Sequence, residues 1–176
     1  MFKHIDEAQQ FIHFRLAYED VTGEPLEYVR KTERPDFICK RDNGTLVGVE
    51  FTLAMRDRET SFADDVLVGV RYMDSSDAVP AIGRAIWRKA RKLAEPDWQL
   101  PHSAILVVSI PDSPLSDIAH KFGSSLRQEF AGAGFSEIWL ADHSGMEAFG
   151  SIELFGLVPS KWWGYHQRHR EMKPFG

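Results

Sequence analysis

An α/β fold built on a mixed sheet is predicted by three features of the sequence. Residues 34–52, RPDFICKRDNGTLVGVEFT, read as strands Phe37–Lys40 and Leu46–Phe51 around an Asp42-Asn43-Gly44 turn, the strongest local hairpin signal in the chain. Residues 102–110, HSAILVVSI, form a near-continuous apolar run between Pro101 and Pro111, as expected of a strand covered on both faces. Around these strands lie segments whose apolar residues recur at helical spacing, at 4–21, 78–94 and 112–132.

The 176 residues suit one domain, 1–176, with room for a proper core. Apolar residues make up 43% and charged residues 27%, the balance of a water-soluble globular protein. No window approaches the roughly 18 uninterrupted apolar residues of a membrane span, and MFKHIDEAQQ lacks the charged-then-apolar pattern of a signal peptide. The lone Cys39 excludes an internal disulfide and suits a reducing cytoplasm. It falls in a predicted strand, where it reads as a small core residue rather than a nucleophile.

The first helix is predicted over 4–21, with Ile5, Ala8, Phe11 or Ile12, Leu16 and Ala17 inward and Thr22-Gly23 as its end. Residues 26–32 alternate enough to be a first strand, so a three-strand meander follows the helix. Residues 55–77, with their many acids, fit no period and read as an insertion, with Asp64-Asp65 part of a polar loop. Asp77 is expected to cap the helix at 78–94, with Pro80 tolerated in its first turn. After the covered strand, Ile118, Phe122, Leu126 and Phe130 predict a helix within 112–132, stopped by Gly132 and Gly134. Strands at 138–141 and 152–157 complete the order. In the tail, Trp162 and Trp163 are expected to pack onto the sheet. His166 and His169, with no third ligand beside them, are a poor zinc pair.

Net charge is −5, which does not suggest a protein that coats nucleic acid. The basic residues are unevenly spread: Arg30, Lys31, Arg34, Lys40 and Arg41 surround the hairpin, and Arg84, Arg88, Lys89, Arg91 and Lys92 share one helix. On that helix Ile82, Ala85, Ile86, Ala90 and Leu93 form one stripe. Lys89 projects from the middle of it, and Lys92 lies nearer its edge. A lysine there is costly to bury unless it meets a carboxylate.

The hairpin supplies two. Asp36 precedes its first strand and Glu50 lies near the end of its second, so pairing across the turn brings them together. Two converging carboxylates repel unless a positive charge lies between them, and a hard cation such as Mg²⁺ fits that place. Pro35-Asp36, a Gly turn and a strand ending Val49-Glu50-Phe51-Thr52 resemble the PD-(D/E)XK nuclease superfamily. Its signature is a Pro-Asp, a variable gap and an acid-x-Lys tripeptide on the next strand. Where the family has lysine, this chain has Thr52. Some branches carry the lysine on the following helix, and Lys89 looks like such a migrated residue.

The resemblance implies a restriction-endonuclease-like core, a central mixed sheet in the order αβββαβ with an αββ extension. It implies a nuclease in which Asp36 and Glu50 hold Mg²⁺ or Mn²⁺ and Lys89 is the displaced catalytic lysine, with Thr52 and Lys92 accessory to it. Glu7 and Glu19 on the first helix match the extra acid found in some members. Arg84 and Arg88 would track phosphates of a DNA substrate, and a homodimer is an assembly open to such a protein. The alternative is a catalytically inactive nuclease fold kept as a binding or adaptor module. No Walker loop, Gly-x-Ser-x-Gly, Gly-x-Gly-x-x-Gly or Cys-x-x-Cys competes with this constellation.

Overall fold

The computed structural model describes residues 6–54, 75–98, 103–110, 114–146 and 150–166. Their framework is a seven-stranded sheet whose spatial order follows the sequence, β1 (Glu27–Lys31), β2 (Phe37–Lys40), β3 (Leu46–Leu53), β4 (Ala104–Ile110), β5 (Glu137–Asp142), β6 (Glu153–Val158) and β7 (Gly164–His166). The β3–β4 and β4–β5 pairs are parallel and all others antiparallel. The predicted α/β class with a mixed sheet and flanking helices is therefore observed.

Parallel neighbours need crossover connections, and the helices supply them. Helix α2 (Ser75–Leu93) lies between β3 and β4 in the chain, and α3 (Leu115–Ile118) and α4 (Ser124–Ala131) lie between β4 and β5. Side chains alternate across a strand, which divides the core into two layers. Ile82, Ala85 and Ile86 of α2 pack with Leu106, Val108, Ile138 and Leu140 on one face. Phe11, Phe14, Ala17 and Tyr18 of α1 (Glu7–Thr22) pack with Val49, Phe51, Ile105 and Val107 on the other. Every residue of β4 is buried, as its apolar run predicts, and Cys39 is buried in β2.

Three expectations are corrected. In α1 the buried stripe runs through Phe11, Phe14 and Tyr18, whereas Ile12 and Leu16 are each 55% exposed and Ala8 also faces solvent. Aromatic rings decide the rotation: Phe11 packs 4.1 Å from Phe37 and Phe14 edge-on to Phe51. Helix α2 begins at Ser75, so Asp77 lies within it rather than capping it. The single helix expected within 112–132 is broken into α3, a 3₁₀ turn (Ala119–Lys121) and α4. Gly123, extended at φ −121° and ψ 179°, separates the pieces. Ile118, Phe122 and Phe130 are nevertheless all buried, because the broken path returns them to the same layer. The expected 55–77 insertion ends earlier, since Ser75 already belongs to α2; its residues 55–74, Ile5 and His169 lie outside the described residues. Among those residues no helix is long and apolar enough to cross a membrane.

The layer beneath α1 also holds a buried polar hub. The Glu137 carboxylate accepts from Tyr18 Oη at 2.9 Å and Trp139 Nε1 at 2.9 Å, and pairs with Arg41 Nη2 at 2.6 Å. One carboxylate thus links α1, the hairpin and β5. Burial and the Glu137 charge push the Tyr18 phenol well above its usual range, so it stays a donor at all ordinary pH.

The tail packs as expected and adds a strand that its sequence does not announce. Trp162 stacks near Trp139 and Trp163 lies edge-on to Phe155, while β7 pairs with β6. Gly156 permits this approach, since a Cβ there would overlap the Trp162 backbone carbonyl. Gly156→Ala is expected to destabilise the fold by about 1–3 kcal/mol, the usual cost of overpacking. Denaturant unfolding would show this as a lower midpoint at unchanged slope.

Candidate active site

The geometry around Glu50 begins with the hairpin register. Phe37 pairs with Val49, which sets Asp36 and Glu50 side by side just beyond that pair. Asp36 is fixed locally: its carbonyl accepts from Thr32 N at 2.9 Å, and its Oδ2 accepts from Phe51 N at 2.8 Å. Pro35 lies against Gly48, where an added Cβ would stand 2.6 Å from the proline Cγ. The strand glycine therefore lets the Pro-Asp segment close onto β3. Arg34 pairs with Glu95 and Asp97 beyond the end of α2, tying the hairpin entrance to the helix that carries Lys89.

Glu50 lies opposite Leu106 in the register and points into the α2 layer. It is 1% exposed. Its Oε2 is 3.7 Å from Lys89 Nζ, and its Oε1 is buried without a hydrogen-bond partner. Burial, hydrogen bonding with Asp36 and the Asp36 charge raise the Glu50 pKa from 4.5 to about 8, against the opposing pull of Lys89 and Lys92. Lys92 stands one turn on, and the charge of Lys89 is the first cause of its lowered pKa. The two lysines share one side of the helix and one acidic target.

Of the residues singled out in the sequence, Asp36, Glu50 and Lys89 come together, with Lys92 at the margin. Thr52 sits two residues along β3, and its Oγ1 accepts from Arg88 Nη2 at 3.4 Å. Arg84 is exposed. Glu7 and Glu19 do not join this group. Their helix packs on the opposite layer, Glu7 pairs with Lys31 at 2.5 Å, and Glu19 is exposed. Because α1 covers the other face of the sheet, neither acid reaches the α2 side.

Two carboxylates, one with an open buried oxygen, fit a hard divalent cation, which takes one or two carboxylates and fills its remaining positions with water. Among the described residues no group of three or more His, Cys, Asp or Glu side chains is placed to hold a metal. Among the described residues, Asp36 and Glu50 are the acids that would meet a cation here, with water in its remaining positions.

The sequence brings Ser109 and His143 into no catalytic motif, but the structure joins them in a polar cluster at the carboxyl ends of β4 and β5, on the α1 side. Ser109 Oγ lies 3.3 Å from His143 Nε2 and 3.3 Å from Gln10 Oε1. Burial lowers the His143 pKa to about 4, so the ring is neutral at physiological pH. The adjoining Asp142 is occupied structurally, accepting from Ser144 N at 2.8 Å and Leu115 N at 2.9 Å. The Asp-x-Ser spacing announces only the Asx turn at Asp142, and no local signal brings Gln10, Ser109 and His143 together.

A raised carboxyl pKa means the folded protein holds that proton more tightly than the unfolded chain. Its contribution to stability is full at low pH and is lost as pH rises through the folded value of about 8. Glu50→Gln keeps the shape and removes the titration. In chelator it should match the wild type near about pH 5 and exceed it by on the order of 1–3 kcal/mol near about pH 9. Urea denaturation at the two pH values measures the difference.

No family model matches the chain, and no curated protein matches it either. The functional reading therefore rests on the residues and their geometry.

Proposed function

We propose that this protein is a divalent-metal-dependent phosphodiesterase acting on DNA, of the PD-(D/E)XK type, with its lysine carried on α2. The observation that supports this most is the approach of Lys89 Nζ to Glu50 Oε2 at 3.7 Å, in a position where the lysine side chain is only 17% exposed. A surface lysine needs no such partner, and a core helix needs no such lysine.

In this reading Asp36 and Glu50 hold the cation, Mg²⁺ or Mn²⁺. When bound it polarises the scissile phosphate and lowers the pKa of a coordinated water. Asp36 is kept in place by the Phe51 N–H, so one ligand is positioned before any metal arrives. Glu50 must give up its proton to become the other. Lys89 orients the attacking water through its ammonium and offsets the negative charge that grows on the phosphorane. Thr52, in the strand position where the family has lysine, supplies only a hydroxyl, and that hydroxyl steadies Arg88. Arg84 and Arg88 meet substrate phosphates, which makes binding weaken as salt rises.

Isothermal titration with Mn²⁺ and a plasmid-nicking assay test the reading together. Asp36→Ala and Glu50→Ala are expected to abolish binding at this site. Lys89→Ala should retain metal but lower nicking by about 100-fold or more. Because Glu50 competes for a proton, metal affinity in the wild type should strengthen as pH rises toward about 8. Metal binding indifferent to Asp36 and Glu50, or nicking indifferent to Lys89, would leave the non-catalytic scaffold as the better account.

A further inference from the structure

The outward side of α2 borders a second feature, a groove of about 740 Å³ between this helix and α4. Its wall carries Arg84, Arg88 and Arg91, which recur at i, i+4 and i+7 and so form one stripe. Trp87 stands among them, 36% exposed and one turn from both Arg84 and Arg91. Leu126 lines the far side, and Glu129 is the one acid among the lining residues. The volume lies within the range of small-ligand clefts, but three arginines to one carboxylate call for an anionic occupant. An exposed indole between guanidinium groups calls for a flat one.

One residue, Arg88, links the groove to the candidate active site. Arg88 lines it, and the same guanidinium donates to Thr52, two residues beyond Glu50 on β3. A chain of phosphates that left the Glu50–Lys89 site by way of Arg88 would meet the arginine stripe next. In a duplex the bases are stacked on one another and have no free face for Trp87. In a single strand each base has one, and base–indole stacking beside a basic track is how such strands are held without sequence preference.

We infer that this groove binds single-stranded nucleic acid, with one base stacked on Trp87 and flanking phosphates on Arg84, Arg88 and Arg91. The inference rests on the phosphodiesterase reading, and it narrows the substrate to DNA with an unpaired segment beside the scissile bond.

Fluorescence anisotropy in chelator tests it without cleavage, using a labelled oligothymidylate of about twelve nucleotides and a duplex of equal length. The single strand should bind about tenfold more tightly than the duplex. Trp87→Ala should weaken single-strand binding about tenfold, the loss expected of one base–aromatic stack, while Trp87→Phe should restore most of it. Arg84→Ala with Arg91→Ala should lower the slope of log affinity against log salt by about 1.4, two phosphate contacts on a single strand. Equal affinity for duplex and single strand, or a Trp87→Ala variant that binds as the wild type does, overturns the assignment. So does displacement by polyglutamate in the absence of any Trp87-dependent nucleic-acid binding, which identifies an acidic protein segment as the occupant. Trp87-dependent binding in a protein that never nicks DNA upholds the groove and removes the catalytic reading, so the two fail separately.

Discussion

Taking the Glu50 carboxyl out of water costs several kcal/mol if it is ionised and unpaired, and much of the surrounding structure bears on that one group. Asp36 raises the cost by adding a second acid beside it. Lys89 lowers it from across the layer. The balance leaves a carboxyl that gives up its proton only at about pH 8, within reach of a modest electrostatic change at neutral pH. A cation added between the acids changes the balance most, because it relieves their repulsion and supplies a partner to the open oxygen at once. Burial alone would make Glu50 an inert neutral acid, and exposure alone would leave it an ordinary ionised one.

The opposite layer carries a buried acid with a different fate. Glu137 also sits in the sheet, but its oxygens are met by a tyrosine, an indole and an arginine. It is satisfied within the protein and has no open position to offer. Satisfied buried networks of this kind hold elements in one arrangement, here α1, the hairpin and β5. The two buried acids differ in one respect: Glu137 is met on both oxygens, and Glu50 keeps a buried oxygen without a partner.

What could be read from the sequence was what local chemistry controls. The Asp-Asn-Gly turn fixed a register, and the register set Asp36 beside Glu50. The apolar run of β4 and the α2 stripe each had a clear period, so the inward position of Lys89 followed from counting. The rotation of α1 was not legible, because Phe11, Ile12, Phe14 and Leu16 offer two overlapping stripes, and only the rings of Phe37 and Phe51 choose between them. Which face of the sheet α1 covers was equally hidden, and it is this that keeps Glu7 and Glu19 from the α2 side. The break at Gly123 was hidden by an apolar spacing that a broken helix also satisfies. The three-residue strand β7 is too short to show a period, and it exists because Gly156 admits the Trp162 backbone.

The first strand of the sheet has a consequence for how copies of the molecule meet. All five residues of β1 are exposed, three of them are charged, and the pairing with β2 shifts between Tyr28 and Arg30. An irregular ribbon with Glu27, Arg30 and Lys31 along it is a poor template for another chain to extend. Growth of the sheet by edge-to-edge addition of a second copy is disfavoured at that border.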